Sequence, residues 1–241
     1  MIRIADIHCH ILPYVDDGAE QKEESMALSE SQFQQGVRVI CVTPHLRKGM
    51  FETPDEVVIE QFERMQERAR AFEGKIHLYL SREYYCDASF VQRVEQGNVI
   101  PMGNGEYLLT EFSMRYSKEE AYEFIKLMRK AGYRPLIAHV ERFPELKDLK
   151  CVERMIHLGA KIQVNAGSLL GREGILQALW TRRLIKNHLV HVVASDAHDT
   201  ETRPPELGKV AKYLTKFVGE AETKNLLYEN PLTILNLTRR R

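Results

Sequence analysis

The chain has 241 residues, and its 34 Lys+Arg are balanced by 34 Asp+Glu, so the formal net charge is zero. That balance argues against a nucleic-acid or membrane-surface footprint, and the length suits one domain over 1–241 with a large buried core. With no charged-then-apolar leader and no apolar run long enough to cross a bilayer, the sequence predicts a cytoplasmic protein with no membrane insertion.

Short apolar runs alternate with helical patterns along the whole chain. Residues 3–9 read as a strand that runs into His8-Cys9-His10. Side chains alternate along a strand, so the two imidazoles share a face, about 7 Å apart along the backbone, and Cys9 takes the other. A helix is expected over about 22–35, stopped by Gly36, and then a buried parallel strand over 37–43 (VRVICVT). Pro54 opens a helix to about 72, and 75–80 (KIHLYL) is the third strand. Asp87 caps a short helix to about 94, and 107–110 (YLLT) is the fourth strand. Ser117 and Glu120 form a capping box for a helix to 131, ended by Gly132. Strand five covers 134–138, a helix covers about 148–158, and strand six is 161–165 (KIQVN). A helix over about 171–186 precedes strand seven at 189–194, and helices from 205 onward finish the chain. The basic tail Arg239-Arg240-Arg241 reads as a solvated end.

Seven strands alternating with helices predict a parallel α/β architecture. The strand C-terminal ends carry His8 and His10, His45, Glu83, Glu111, His139, and Asp196 with His198. An open sheet gathers ligands at one switch point, whereas only a closed ring brings all these ends to one mouth. A (β/α) barrel of about seven strands is therefore expected. Five of the nine histidines fall at strand ends with carboxylates and no thiolate, a set that suits Mn, Fe or Zn rather than a structural zinc. Eight or nine ligands exceed one ion, and a bridging carboxylate lets two or three ions share a pocket.

These residues resemble a known family. His8-x-His10, Leu12-Pro-Tyr-Val-Asp-Asp-Gly-Ala19, Thr43-Pro-His45, Glu83, Glu111-Phe, His139-Val-Glu-Arg142-Phe and Ser195-Asp-Ala-His198 are similar to motifs of the polymerase and histidinol phosphatase (PHP) superfamily. The nearer resemblance is to its bacterial protein-tyrosine phosphatases of capsule and exopolysaccharide operons. It runs from Ile4 to about Asn230. The resemblance implies a distorted (β/α)7 PHP barrel holding three divalent metal ions, manganese by preference, with iron or zinc as alternatives. It assigns His8, His10, Glu83 and Asp196 to one ion, Glu83, Glu111 and His139 to a second, and Asp17, His45 and His198 to a third. It makes Arg142, Arg203, Asp196 and His198 the catalytic set, the two arginines holding phosphate oxygens. The implied activity is hydrolysis of phosphotyrosine on a partner tyrosine kinase in polysaccharide export, by attack of a metal-bound hydroxide. One departure from the family pattern is Val140, where a proline is expected after the strand-five histidine.

Several residues admit other readings. Cys41-Val-Thr-Pro-His-Leu-Arg47 has the Cys-x5-Arg spacing of cysteine-based tyrosine phosphatases. Such loops cradle phosphate with backbone N–H groups, and Pro44 has none. Cys41 lies within an apolar strand, where a buried inert thiol is expected. The four cysteines (Cys9, Cys41, Cys86, Cys151) form no CxxC pair, so no disulfide framework is suggested. Asp16 and Asp17 precede Gly18 and suit turn or cap chemistry. Arg47 and Arg203 read alternatively as solvated loop residues, and Tyr84 and Tyr85 as an aromatic rim or as core. Two other functions share the same motifs: a small-molecule phosphatase of the histidinol-phosphate type, and a non-catalytic metal-bearing module that docks on a kinase. The oligomeric state is left open.

Overall fold

Proline cannot donate to a β-ladder, and at Pro44 the second apolar run breaks in two. The computed structural model describes residues 2–237; the Arg239–Arg241 tail lies outside the described residues. In chain order the elements are β1 (Ile4–Asp6), α1 (Lys22–Gln34), β2 (Val37–Val42), β3 (His45–Leu46), α2 (Asp55–Ala69), β4 (His77–Leu80), β5 (Glu83–Tyr85), α3 (Ala88–Gln96) and β6 (Tyr107–Glu111). There follow α4 (Lys118–Lys130), β7 (Arg134–Ile137), α5 (Leu149–His157), β8 (Lys161–Asn165), α6 (Ala166–Leu170), α7 (Ile175–Lys186), β9 (Val192–Ala194), α8 (Leu207–Val218), α9 (Glu220–Lys224) and α10 (Asn230–Ile234).

Among the described residues nine strands stand where seven are expected, because two of the seven are interrupted. β2 and β3 flank Thr43-Pro44, and β4 and β5 flank Ser81-Arg82. Ladder bonds continue across both gaps: Ser81 N–H donates to the Val42 carbonyl (2.9 Å) and Glu83 N–H to the Pro44 carbonyl (3.1 Å). The fully buried Arg82 side chain fills the break, donating to the His45 carbonyl (2.7 Å) and to Asp55 (2.7 Å).

All pairings between neighbouring strands are parallel, in the orders β1-β2-β4 and β3-β5-β6-β7-β8-β9. The last strand position meets the first through a parallel Cys9–Ala197 bridge, with Asp196 N–H on the His8 carbonyl and His10 N–H on the Ala197 carbonyl, both 2.8 Å. The ring of a seven-position α/β barrel is thus closed at the strands' C-terminal ends, the fold class expected from the sequence. One apolar cluster joins Ala5, Cys41, Leu109, Leu136 and Val192 to Ile234 of the last helix and Leu235 just after it, and a larger one lies between strands and helices.

The caps read from sequence form: Asp87 accepts from Ser89 and Phe90 N–H, and Ser117 and Glu120 cap reciprocally. The helix expected over 171–186 begins later. Gly171 (φ 92°) and Gly174 (φ 98°) hold a left-handed turn between α6 and α7 that no side-chain-bearing residue adopts cheaply. Among the described residues no helix is long and apolar enough to cross a membrane.

Candidate metal centre

The strand ends carry their polar residues into one cluster. His8 and His10 lie just past β1, Asp17 in the loop before α1, His45 at the start of β3, and Glu83 at the start of β5. Glu111 ends β6, His139 lies past β7, and Asp196 and His198 lie past β9. Glu83 Oε2 is 3.1 Å from each of His8 Nε2, His10 Nε2 and His45 Nδ1. Asp196 Oδ1 is 3.3 Å from His8 Nε2 and 3.5 Å from His10 Nε2. Asp17 Oδ1 lies 3.6 Å from His45 Nε2 and 3.5 Å from His198 Nε2. His139 Nε2 is 2.9 Å from Glu83 Oε1 and 3.8 Å from Glu111 Oε1.

Three overlapping groups have ligand atoms within 4.8 Å of one another: His8, His10, Glu83 and Asp196; His10, Asp17, His45 and His198; and His45, Glu83 and Glu111. The first matches the grouping implied by the resemblance. The second adds His10 to the expected Asp17, His45 and His198. In the third, His45 accompanies the two glutamates that were expected with His139.

The donors fit divalent ions. Glu83 Oε2, Asp196 Oδ1 and His198 Nε2 are buried within the cluster and make no hydrogen bond. An unsatisfied buried polar atom costs about 1–3 kcal/mol; a cation in the first group would satisfy the two carboxylate oxygens and one in the second the His198 nitrogen. Burial, aided by the His10 charge, lowers His198, and burial takes His45 down to about 4, so both imidazoles are neutral and can donate a lone pair. Burial opposes ionisation of Glu83 and Asp196, but histidines around Glu83, and His8 and Arg203 around Asp196, hold both well below the usual carboxylate range. Glu111 is raised by burial and by the neighbouring Glu83 charge. His139 (φ 30°) and Asp196 (φ 52°) stand in the left-handed region, a strain of about 1–3 kcal/mol each that concentrates at functional sites.

A layer behind the candidate ligands fixes them, and much of it was not anticipated from sequence. Asp16, read as a turn residue, accepts from His10 Nδ1 (2.7 Å) and from the His45 and Gly18 backbone N–H groups. A Cβ on Gly18 would lie 1.8 Å from the His10 carbonyl oxygen, so only glycine allows this turn to close. Gln163 Oε1 takes the His139 N–H (2.7 Å) and lies 3.1 Å from His8 Nδ1. Asn165 Nδ2 donates to Asp196 Oδ2 (2.6 Å). Two polar residues on one face of the apolar KIQVN strand were the available sequence signal for Gln163 and Asn165. Asp6 accepts from Ser195 N–H (3.0 Å) and Oγ (2.5 Å), pinning the turn that carries Asp196. Outer partners of this kind set ligand orientation and basicity. Asp16→Asn is expected to lower metal affinity about 10–100-fold while the fold persists; competition with a chelating dye measures it, and unchanged affinity would remove Asp16 from the site.

The remaining residues sort as follows. Arg203 Nη2 donates to Asp196 Oδ2 at 2.8 Å, and Arg142 Nη1 forms an ion pair with the same oxygen at 3.1 Å. Arg47 joins them in lining a cavity of about 230 Å³ with Asp17, His45, Phe51, Glu111 and Asp196, and its guanidinium lies over the Tyr85 ring at 4.1 Å. It is thus not a solvated loop residue. Tyr84 is core, accepting the Ile100 N–H, and Tyr85 is half-buried beneath Arg47. Cys41 is fully buried and its thiol is pushed up by burial. The amides that would have to cradle phosphate in a Cys-x5-Arg loop are committed elsewhere, Thr43 N–H to the Cys9 carbonyl and His45 N–H to Asp16. A larger groove of about 1360 Å³, bordered by Arg3, Arg172 and Glu206, contains none of the candidate ligands.

Comparison with known proteins agrees with this architecture. Residues 4–236 match the family model for capsular polysaccharide synthesis, CpsB/CapC. The tyrosine-protein phosphatase CpsB of Streptococcus pneumoniae is 34% identical over 236 residues, covering 95% of this chain and 97% of the relative. The tyrosine-protein phosphatase YwqE of Bacillus subtilis is 30% identical over 231 residues, covering 95% and 91%. Crystallographic work on YwqE and CpsB, described as unique metal-dependent tyrosine phosphatases, includes a structure with a TM-score of 0.88 and 29% identity, covering 98% of this chain and 95% of that one. A phosphotriesterase homology protein from Escherichia coli shares the fold at a TM-score of 0.61 and 15% identity, covering 96% and 97%. The chain belongs to the CpsB/CapC family of capsular polysaccharide synthesis.

Proposed function

We propose that this chain, acting as one unit over 1–241, is a metal-dependent protein-tyrosine phosphatase that hydrolyses phosphotyrosine on a partner tyrosine kinase in polysaccharide export. The observation that carries the reading is the cavity itself: three arginines face a nest of imidazoles and carboxylates with no thiolate among them. The names of the relatives supply the substrate class. Three divalent ions, manganese by preference with iron or zinc as alternatives, would be held by His8, His10, Glu83 and Asp196, by Glu83, Glu111 and His139, and by Asp17, His45 and His198. When bound, such ions lower the pKa of water toward neutrality and neutralise phosphate charge.

The chain's own contribution is binding and orientation. Arg203 donates to Asp196 Oδ2 and Arg142 forms an ion pair with the same oxygen, so their guanidinium groups are set in place before a phosphate arrives. A planar fork of N–H donors matches phosphate oxygens. About 230 Å³ accommodates a phosphoryl group but no peptide, so the tyrosine ring stays at the mouth. There Phe51 stacks on His45 (5.1 Å between centroids) and Met50 is 58% exposed, offering an apolar rim. Neither cysteine nor serine lines the cavity among the described residues, and the histidines and aspartates that do are the candidate metal ligands, which favours direct displacement at phosphorus.

The test is a substrate panel on manganese-loaded protein. A phosphotyrosyl peptide is expected to turn over with no phosphoenzyme recovered after acid quench. Turnover of histidinol phosphate alone would transfer the site to a small-molecule phosphatase. Loaded protein that turns over neither would leave the docking module, and a trapped phosphoenzyme would overturn direct displacement.

A further inference from the structure

Arg142 is gripped from two sides. Its Nη1 meets Asp196 Oδ2 at 3.1 Å, on the cavity side. Its other edge is taken by Glu173, with Nε donating to Oε2 (3.2 Å) and Nη2 to Oε1 (2.8 Å), a side-on two-bond fork. Glu173 does not line the cavity. Burial favours the neutral form of Arg142, but the Asp196 and Glu173 carboxylates outweigh it and keep the guanidinium charged.

The turn that presents Glu173 is itself held. Gly171 N–H and Arg172 N–H donate to the Ser168 and Gly167 carbonyls, and Gly174 N–H to the Gly171 carbonyl (3.2, 3.0 and 3.1 Å). Arg172 reaches the other way to pair with Glu206 of the following segment. Behind the turn, Gln177 Nε2 of α7 donates to the Glu141 carbonyl (2.6 Å), tying the helix to the segment that carries Arg142. A long arginine side chain loses rotamer freedom when it binds phosphate, and fixing it beforehand removes that cost from binding.

We propose that Glu173 is a positioning residue for Arg142: it holds the guanidinium edge turned away from the cavity, so that the opposite edge stays aimed at the phosphate position. This role rests on the phosphatase reading of the site. It does not require Glu173 to touch substrate.

The experiment measures inorganic phosphate binding by calorimetry on manganese-loaded wild type, Glu173→Ala and Glu173→Gln, alongside KM and kcat for a phosphotyrosyl peptide. Metal content and thermal unfolding check that each variant is loaded and folded. Glu173→Ala is expected to weaken phosphate and raise KM about tenfold each with kcat changed far less, the pattern of a contact made equally in ground and transition states. Glu173→Gln, which keeps one acceptor oxygen, recovers part of the loss. On an Arg142→Lys background, which has no side-on fork to hold, Glu173→Ala adds nothing. Tighter phosphate binding by Glu173→Ala would mean that the carboxylate competes with phosphate, and overturns the proposal. So would unchanged binding, or an undiminished effect on the Arg142→Lys background, or wild-type protein that binds no phosphate. Wild-type protein that binds phosphate with this Glu173 dependence but hydrolyses no phosphotyrosyl peptide would instead overturn the proposed function and leave the positioning role standing.

Discussion

Asp196→Asn is expected to abolish phosphotyrosyl-peptide turnover to below about one-hundredth of wild type, because loss of an outer partner alone costs about 10–100-fold and this residue stands closer in. The two oxygens of Asp196 have different tasks. Oδ1 makes no hydrogen bond and faces His8 and His10 at 3.3 and 3.5 Å. Oδ2 accepts from Asn165 Nδ2 and Arg203 Nη2 at 2.6 and 2.8 Å and pairs with the Arg142 charge, Nη1 lying at 3.1 Å. Asparagine has one oxygen and one NH2. Two donors and the Arg142 charge demand that oxygen on the Oδ2 side, so the NH2 lands among the imidazole nitrogens, where an acceptor and a negative charge are needed. The opposite flip keeps an oxygen toward the histidines but sets an NH2 against two guanidinium groups. Both orientations spoil the site. The measurement is kcat/KM together with metal content; a variant that keeps a full metal complement and turns over within tenfold of wild type would show that Asp196 is no ligand.

Eight of the nine candidate ligands were legible in sequence because each stands at or just past the end of a strand, and a barrel collects all such ends at one mouth; Asp17, in the loop before α1, was legible only through the family resemblance. The closure of the ring was legible only as a consequence of that logic. Its physical form, the Cys9–Ala197 bridge beside the Asp196 N–H bond to His8, joins segments nearly the whole chain apart, and no local pattern encodes it. The strand breaks were hidden for different reasons. Pro44 was visible, but the ladder survives around it through its carbonyl. Arg82 was a charged residue in a strand-like stretch, and its full burial depends on partners at His45 and Asp55. Asp16 illustrates the limit most plainly. Adjacent aspartates before a glycine are consistent with turn chemistry, and the structure gives Asp16 turn chemistry as well: it accepts the Gly18 N–H while its other oxygen holds His10. A residue type that serves a turn and a ligand at once cannot be assigned from spacing. Glu173 was silent in the sequence because its partner lies 31 positions away.

Removing divalent ions with a chelator is expected to abolish turnover, manganese to restore it, and Cys41→Ser to leave it within a few-fold of wild type. Cys41 lies in an apolar cluster with Ala5 and Leu109, fully buried and far from the thiolate state, so serine at that position alters packing and not chemistry. Activity that survives chelation and dies with Cys41→Ser would reverse the assignment of the site. The same experiment carries a pH signature. In the metal-free protein His10 is raised to about 10, burial opposing the charge and Asp16 outweighing it through the 2.7 Å contact at Nδ1. The stability this proton contributes is fully present below the unfolded value near 6.5 and fades as pH rises toward 10. A metal at Nε2 must displace that proton, so metal affinity rises with pH. Ligand-induced stabilisation follows RT ln(1 + [L]/Kd), which adds about 1.4 kcal/mol per pH unit for each proton displaced. The gap in thermal stability between manganese-loaded and stripped protein is therefore expected to widen from pH 6 to pH 8, since the stripped form loses its His10 contribution over the range in which the loaded form binds more tightly. Differential scanning of the two forms across that range reads it directly. Asp16→Asn should flatten the curve by returning His10 toward its ordinary value, and a gap that stays constant in wild type would show that no histidine proton is exchanged for metal.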